Sequence, residues 1–258
     1  MNKIIIENDK IIESDVNYTY QEKTNIFDIS KIEFNITSNN HILININIKE
    51  DTKLIITFNI KNNINTKLTI ITQGKKSKIQ YNYNLANNSN CSIEKLNIVD
   101  SIREMIVANL DEKSNIDYIF KSIATSKENY DYMIYHNGIY SKSNIINNSI
   151  NESGSIYYQI SSFIPKNIIG CSANQYNRII NKTKNKCEIK PNLYIDCCDV
   201  EANHSALIDT FNEKELFYLE LKGINKVDCL KLLEKGFLLS KIKDEEIIKN
   251  INKRYGGE

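Results

Sequence analysis

The chain has 258 residues, with 33 Lys or Arg against 32 Asp or Glu, so its formal net charge at pH 7 is +1. That balance excludes a strongly cationic surface built for nucleic acid or anionic membrane, while a hydrophobic fraction of 41% suffices for a core. No run approaches the about 18 apolar residues that span a bilayer, and the chain starts without a secretory signal, so we expect a cytoplasmic protein with one large domain or one domain and an appendage.

Residues 1–205 consist almost throughout of short β-rich runs separated by polar, turn-type residues. The runs recur every about 10 to 14 residues, which predicts an all-β architecture. Glycine and proline are scarce, so asparagine must fill many of the left-handed turn positions. The predicted strands lie at 42–48, 54–60, 68–72, 79–85, 93–99, 116–123, 130–135, 145–150, 156–160, 175–180 and 193–200.

This spacing fits a β-sandwich, a barrel or a solenoid. Two features favour the solenoid without excluding a sandwich. The spacing is even over most of the β-rich part, and runs such as LIITF and LTIIT are almost continuously apolar, as in strands that are covered on both faces. In a solenoid, asparagines can also form ladders between successive coils.

Helical patterns replace the strands after about residue 210. Asn212 with Glu215 forms an N-terminal capping pair for a helix at 213–222, and Gly223 occupies the position that ends it. Asn225 with Asp228 caps a second helix that is predicted to end at Gly236. A third helix is predicted at 241–253. The sequence thus predicts a β body with a small helical subdomain at its C-terminal end.

Two segments in the stretch from about residue 170 to 240 resemble the SufB/SufD family, the scaffold subunits of the SUF iron–sulfur cluster assembly system. The first is KPNLYIDCCDVEANHSALI at 190–208, and the second is NEKELFYLELKGINKVDCLKLLEKGFL at 212–238. A weaker upstream match is Ala173 to Arg178. Asp199-Val200 and Asn177-Arg178 are closer to the SufD-like branch, although Ala202 and Ser205 depart from the residues that SufD-like and SufB-like members carry there.

The resemblance implies a right-handed β-solenoid core at 1–208 and a helical, ATPase-docking subdomain at 209–258. It implies a non-enzymatic scaffold that forms a dimer with a SufB-like subunit or with itself. It also implies binding of the SufC ABC-type ATPase and indirect sulfur supply from a cysteine desulfurase system. The partner-binding candidates are Leu216, Phe217, Tyr218, Gly223, Leu233 and Phe237. The compartment is the cytoplasm or, as the alternative, a plastid-type organelle.

His204 is the foremost candidate ligand of a nascent iron–sulfur cluster, because the resemblance places it at the interface between paired scaffold subunits. Imidazole and thiolate are ligands of such clusters. Cys197 and Cys198 are predicted on one strand with opposite orientations. Cys187 and Cys171 are the further thiol candidates, whereas His41 and His136 lack motif context and are interpreted as surface or strand residues.

Two other functions fit the residues. One is a purely structural SufD-like subunit that binds the ATPase and holds no cluster. The other is a carbohydrate-active enzyme on a β-solenoid, which an exposed carboxylate cluster along residues 40–160 would indicate. The sequence contains none of the nucleotide-binding, hydrolase or metalloprotease motifs that would predict independent catalysis.

Overall fold

A computed structural model describes residues 1–23 and 29–256 of the chain. These residues form two mainly parallel sheets and three helices. Sheet A contains, in chain order, β1 (Asn2–Glu7), β2 (Lys10–Ser14), β5 (Asn40–Ile48), β7 (Asn65–Gly74), β9 (Asn90–Val99), β11 (Asn115–Ala124), β13 (Lys142–Asn151), β15 (Cys171–Asn181) and β17 (Val200–Asp209). Sheet B contains β3 (Tyr18–Gln21), β4 (Ser30–Ile36), β6 (Thr52–Ile60), β8 (Ser77–Leu85), β10 (Ile102–Leu110), β12 (Lys127–His136), β14 (Ser155–Ile164) and β16 (Glu188–Ile195). The helices are α1 (Glu213–Leu221), α2 (Lys226–Leu239) and α3 (Glu245–Arg254).

The strands wind into a β-solenoid of about 7 turns, which confirms the predicted fold class. From β4 onward each coil gives one strand to each sheet, so strands that follow one another in the chain lie in opposite sheets. Hydrogen-bonded partners such as Thr57 and Asn82 are 25 residues apart in sequence. Later coils are longer, as the 30-residue separation of Asn147 and Asn177 shows. The repeat is therefore one of structure, with a two-strand coil as its unit.

The alternation of residues along each strand places apolar side chains inside the solenoid. In β6, Leu54, Ile56, Phe58 and Ile60 are buried, while the residues between them face outward. Equivalent side chains stack from coil to coil, and the rings of Phe34 and Phe58 lie 5.4 Å apart. Burying such a side chain contributes about 1.5–3 kcal/mol relative to leaving it in water. The interior columns are therefore the main source of stability.

Asparagine supplies both turns and ladders, as the sequence predicts. Four non-glycine residues with positive φ are asparagines, namely Asn8, Asn63, Asn88 and Asn167. On the outer face of sheet B, the amide of Asn84 donates to Asn59 (2.8 Å), and that of Asn109 donates to Asn84 (2.9 Å). Each coil thus fixes the register of the next through side chains as well as through the backbone.

The middle coils enclose an ion pair. Lys95 Nζ lies 2.6 Å from Glu104 Oε2, and both side chains are fully buried. The same ammonium lies 3.7 Å from the centroid of the Tyr81 ring. Burial lowers the pKa of Lys95 to about 8, and the Glu104 carboxylate opposes that shift. Each charge in this pair is tolerated because the other one neutralises it.

A second buried carboxylate lies on the next coil. Ser122 Oγ and Tyr130 OH donate to Glu128 Oε2, at 2.7 and 2.9 Å. Burial raises the pKa of Glu128 to about 7, although these two hydrogen bonds oppose the shift. Asn97 connects the two acidic groups, since its amide donates to Glu104 (3.0 Å) and to Tyr130 OH (3.4 Å). The interior of the middle coils is therefore polar as well as apolar.

The helix boundaries agree with the predictions in most respects. Asn212 and Asn225 accept hydrogen bonds from the first turns of α1 and α2. Gly223 has φ +85 and follows the end of α1, as predicted. The prediction for Gly236 is wrong, because α2 continues through it to Leu239. The α2–α3 connection extends farther than predicted, and α3 begins at Glu245 with Asp244 as its N-cap.

The strand predictions also need correction. The predicted strands do not include β1 to β4, β10 or β17, all of which the structure contains. The strand predicted at 193–200 ends at Ile195, and residues 196–199 form the loop to β17. Cys197 and Cys198 consequently lie in a loop, so strand alternation does not set their orientations.

Candidate functional site

The two ends of the solenoid differ. At the N-terminal end, β2 and β3 pair antiparallel with β1 and β4. At the C-terminal end, β17 is the outermost strand of sheet A and β16 is the outermost strand of sheet B. Among the described residues no strand pairs with the outer edge of either, so both present backbone donors and acceptors. We call β16, β17 and the loop between them the open edge.

His204 lies in the middle of β17, in register with Gln175 of β15. Gln175 belongs to the inward-facing positions of its strand, so His204 continues an interior column of the solenoid. Since no coil covers it, its side chain is exposed. The structure thus places this imidazole at the mouth of the solenoid interior.

Amide groups surround this mouth. Gln175 Nε2 donates to Ser162 Oγ (2.8 Å) and to the Asn192 carbonyl (3.2 Å). Asn177 Nδ2 donates to the Ser205 carbonyl (3.1 Å). The Gln175 and Asn177 side chains are buried although polar. The last coil therefore differs from the apolar coils at the N-terminal end, and its amides hold β16 and β17 in place beside His204.

Two of the candidate thiols lie together at one corner of the open edge. Cys171 is buried at the start of β15, and its Sγ lies 3.4 Å from Ser141 Oγ. Cys197 is half-buried in the β16–β17 loop, where its Sγ donates to the Ile168 carbonyl (3.0 Å). Both belong to one small apolar cluster with Val200 and Ala202.

The other two thiols lie apart from this pair. Cys198 is exposed in the same loop as Cys197. Cys187 precedes β16 at the opposite corner of the coil, and the Asn151 amide donates to its Sγ (3.4 Å). Burial raises the pKa of Cys187. A half-buried thiol whose pKa is raised is less reactive than one whose pKa is lowered, because the thiolate is the nucleophile.

The structure does not bring His204 and these thiols together within one chain. Cys171 pairs with Val200, and His204 lies four residues farther along β17, about 13 Å away at about 3.3 Å per residue. Within residues 1–23 and 29–256, no group of three or more His, Cys, Asp or Glu side chains is arranged to hold a metal ion.

The remaining histidines have structural surroundings. His136 is fully buried, and its two ring nitrogens contact Ser141 Oγ (2.8 Å) and Ser143 Oγ (3.0 Å). Burial lowers the pKa of His136 to about 4, so the ring is neutral at pH 7. His41 lies on the outer face of sheet A, next to Asp244 of the helical region. Both lie on strands, as the sequence suggests, and His136 is not a surface residue.

An aromatic column ends at the open edge. On the outer face of sheet B, Tyr135, Phe163 and Tyr194 stack with centroids 4.8 and 4.9 Å apart. Tyr194 is the last ring and is 54% exposed. Leu207 and Ile208 of β17 are also exposed. The open edge therefore combines unpaired backbone with uncovered apolar side chains.

A second exposed apolar surface lies on the first two helices. None of the residues of α1 is buried, and Phe217 and Tyr218 are 61% and 60% exposed. Leu221, Val227 and Leu232 are exposed as well. We call α1 and the N-terminal half of α2 the helical arm.

The other partner-binding candidates are less exposed or lie elsewhere. Leu216 and Leu233 are half-buried, and Gly223 forms the turn between α1 and α2. Phe237 is half-buried near the C-terminal end of α2 and packs against sheet A. Its ring centroid lies 6.4 Å from that of Phe211. Phe237 therefore attaches the helices to the solenoid.

Sequence reasoning missed a charged cluster where α3 meets sheet A. Its members are His41, Lys67, Thr69, Glu94 and Asp244. The strand residues are separated from Asp244 by at least 150 positions in the chain. The only local signal is Asp244 itself, which stands at the N-cap position of a helical pattern.

The family comparison agrees with this architecture. A model of the family described as "SUF system FeS cluster assembly, SufBD core domain" matches residues 101–237. The match covers more than half of the chain and extends well upstream of the segments that show the resemblance by eye. No curated protein shows significant similarity to the chain. Among the described residues, no helix has the length and hydropathy to cross a membrane. The match includes the last coils, the open edge and the helical arm, and the chain belongs to the SufBD family of the SUF iron–sulfur cluster assembly system.

Proposed function

We propose that this chain is a cytoplasmic, non-catalytic scaffold subunit of a SUF-type assembly complex. It pairs through the open edge with a SufB-like subunit or a second copy of itself, and it binds a SufC-like ABC ATPase through the helical arm. The observation that carries the proposal is that the two uncovered apolar surfaces lie on the two segments that resemble the family, at 190–208 and 212–238, at the C-terminal end of the matched range 101–237.

Pairing through the open edge is supported by its chemistry. A second chain that adds strands beside β16 and β17 would satisfy their free backbone groups. It would also cover Tyr194, Leu207 and Ile208. His204 would then lie between the two chains, where a nascent iron–sulfur cluster could receive ligands from both. Its sulfur would come indirectly from a cysteine desulfurase system, and its energy from the ATPase.

A second candidate is a structural subunit that supports the complex and holds no cluster. The separation of His204 from Cys171 and Cys197 favours it, because one chain alone does not assemble a ligand set. The two candidates differ in what they predict for His204, and they share the prediction that the ATPase binds.

His204→Ala separates the two candidates. The variant is co-expressed anaerobically with the ATPase and the SufB-like subunit of the same organism, and the iron content of the purified complex is measured. If His204 is a ligand, we expect the iron content of the complex to fall by at least about tenfold. Loss of a residue that only hydrogen-bonds to a metal ligand already costs at least about tenfold in metal affinity, so loss of a ligand should cost no less. Because the side chain is exposed, the complex itself should persist.

Asn203→Ala is the matched control, since Asn203 precedes His204 on β17, is exposed and faces the other side of the strand. It should leave the iron content unchanged. If His204→Ala also leaves it unchanged while the ATPase still binds, the cluster-ligand role is wrong and the structural candidate holds.

A further inference from the structure

The C-terminal helices rest on the outer face of sheet A through an apolar contact. Leu238 at the end of α2, Ile242 in the α2–α3 connection, and Ile247 and Ile251 of α3 are buried there. The strands contribute one apolar side chain from each successive coil, namely Leu43, Ile71, Leu96, Ile123, Ile150 and Ile180. The end of α2 and α3 are therefore attached to the solenoid, whereas the helical arm projects from it.

A polar cluster at one side of this contact sets its register. Glu94 Oε2 accepts the backbone N–H groups of Lys243 (2.8 Å) and Asp244 (2.9 Å). Asp244 Oδ2 in turn accepts from Thr69 Oγ1 (2.6 Å) and lies 3.2 Å from Lys67 Nζ. His41 Nε2 lies 3.1 Å from the same carboxylate oxygen. Because these contacts are directional, they fix where α3 begins on the sheet.

Lys121 interrupts the apolar contact. It lies on the outward-facing side of β11, in register with Leu96 of β9, and its side chain is fully buried beneath the helices. Among the described residues no carboxylate lies within ion-pair distance of its Nζ. The Asn148 amide, oriented with its oxygen toward the ammonium, accepts at 2.9 Å. The Phe237 ring centroid lies 6.0 Å away.

A buried ammonium without a counter-charge opposes docking. Its transfer from water is unfavourable unless it is paired or loses its proton. Strand β11 already gives Ile123 to the apolar contact, and Lys121 adds a charged side chain to the same face, between Leu96 of β9 and Asn148 of β13. The contact between the helices and the sheet is thus weaker than its apolar area implies.

We propose that the end of α2 and α3 form a releasable joint with sheet A, in which Lys121 weakens the apolar contact and the Glu94–Asp244 cluster restores one register on reclosing. The helices lift from the solenoid as a unit while the coils stay folded. The joint does not depend on the proposed function. If that function is correct, movement of a bound ATPase would displace the helices from the solenoid at this joint.

The joint has a defined dependence on pH. Burial lowers the pKa of Lys121 from 10.5 to about 7, and the Glu94 carboxylate opposes the shift. Opening exposes the amine and restores its ordinary pKa, so the open form binds the extra proton between these values. The free energy of docking therefore becomes more favourable as pH rises from about 7 to 10.5. Below pH 7, Lys121 is protonated in both forms, and its unfavourable effect on docking no longer changes with pH.

Other groups at the joint do not reproduce this dependence. Desolvation lowers the pKa of His41, so that ring is already neutral in this range. The pKa of Asp244 is also lowered, because hydrogen bonds from Thr69 and Lys67 outweigh its desolvation. The other charged groups that face the joint from the strands are His41, Lys67, Glu94 and Arg178, and those from the helical side are Lys243, Asp244 and Glu246. Two further ion pairs link the helices to the solenoid, Lys182 with Glu234 of α2 and Glu152 with Arg254 of α3. Burial raises the pKa of Tyr255 beside them, so its phenol stays neutral in this range.

Acylation of lysines by an N-hydroxysuccinimide ester tests the joint in the wild-type protein. Lys121 and Lys95 are both fully buried, but Lys95 lies inside the solenoid and reacts only after the coils unfold. At pH 8 and under native conditions, we expect Lys121 to be labelled at least about tenfold faster than Lys95, because sub-global opening precedes global unfolding. Equal rates for the two lysines would overturn the proposal.

Hydrogen exchange of α3 gives a second, independent measurement. Lys121→Met removes the buried charge, so α3 amides should exchange at least about tenfold more slowly at pH 7. In the wild type, protection corrected for intrinsic exchange should rise up to about tenfold per pH unit above pH 7, and Lys121→Met should abolish that rise. The control Lys78→Met replaces an exposed lysine of sheet B and should change neither. Unchanged exchange in Lys121→Met would contradict the role of this lysine.

Discussion

Replacing Glu104 with glutamine is expected to lower the free energy of unfolding by about 3–5 kcal/mol, because it leaves the Lys95 ammonium buried without its counter-charge. Lys95 Nζ and Glu104 Oε2 are 2.6 Å apart, and no part of either side chain reaches solvent. In the variant, the Tyr81 ring remains a favourable neighbour of the ammonium, 3.7 Å from its centroid. Such a loss is a large fraction of the total stability of a domain.

Urea denaturation at pH 7 measures this change. The double variant Lys95→Met, Glu104→Met removes both charges and should recover most of the lost stability, since a buried pair replaced by apolar residues costs little. A loss below about 1 kcal/mol for Glu104→Gln would show that water reaches the pair and that the interior at this coil is not dry.

Glu128→Gln is the matched control, because Glu128 is an equally buried carboxylate on the next coil. Its folded pKa is about 7, above its ordinary value of 4.5, so the folded state holds the proton more tightly. Below about pH 4.5 the carboxyl is protonated in both states, and burial of Glu128 costs no charge. As pH rises from about 4.5 to 7, the unfolded state loses this proton first, and the free energy of unfolding falls. The glutamine variant should therefore be neutral or stabilising at pH 8, opposite in sign to Glu104→Gln.

Replacing Phe217 and Tyr218 together with alanine is expected to weaken ATPase binding by about 2–4 kcal/mol, or roughly 30- to 1,000-fold, because exposed aromatics supply most of the energy of an interface. Both side chains are more than half exposed, so their loss leaves the packing of the helices intact. The binding constant is measured by titrating the purified chain with the ATPase of the same organism.

The matched control for the helical arm is Ile12→Ala, because Ile12 is 64% exposed at the opposite end of the solenoid. It should leave the binding constant unchanged. The far-ultraviolet circular dichroism of all variants should match that of the wild type. An unchanged binding constant in the Phe217, Tyr218 variant would place the ATPase contact outside the helical arm.

The sequence predicts most strands of the solenoid because apolar and polar residues alternate in them. It misses β1 to β4, β10 and β17. In β10, Glu104 occupies an interior position and breaks the alternation. The charge of Glu104 is offset by Lys95 on β9, a partner that only the coil geometry reveals. The Asn ladders could be anticipated because asparagine side chains can pair between stacked coils, whatever the exact repeat length.

The candidate site could be predicted in its residues but not in their arrangement. The His204 motif and the arm aromatics are local patterns, so the sequence shows them directly. The position of Cys197 and Cys198 in a loop depends on where β16 ends, and strand ends are set by the coil below. The joint at Lys121 and Asp244 could not be predicted from the sequence beyond the N-cap position of Asp244, because it joins side chains from strands and helices far apart in the chain.

The measurement that tests the scaffold account most directly is anaerobic co-purification of the chain with the ABC-type ATPase and the SufB-like subunit of the same organism. The account predicts a stable complex that contains iron and that loses the ATPase when residues 211–258 are deleted. Failure of the intact chain to retain the ATPase would contradict the account, and the family fold would then serve another purpose in this protein.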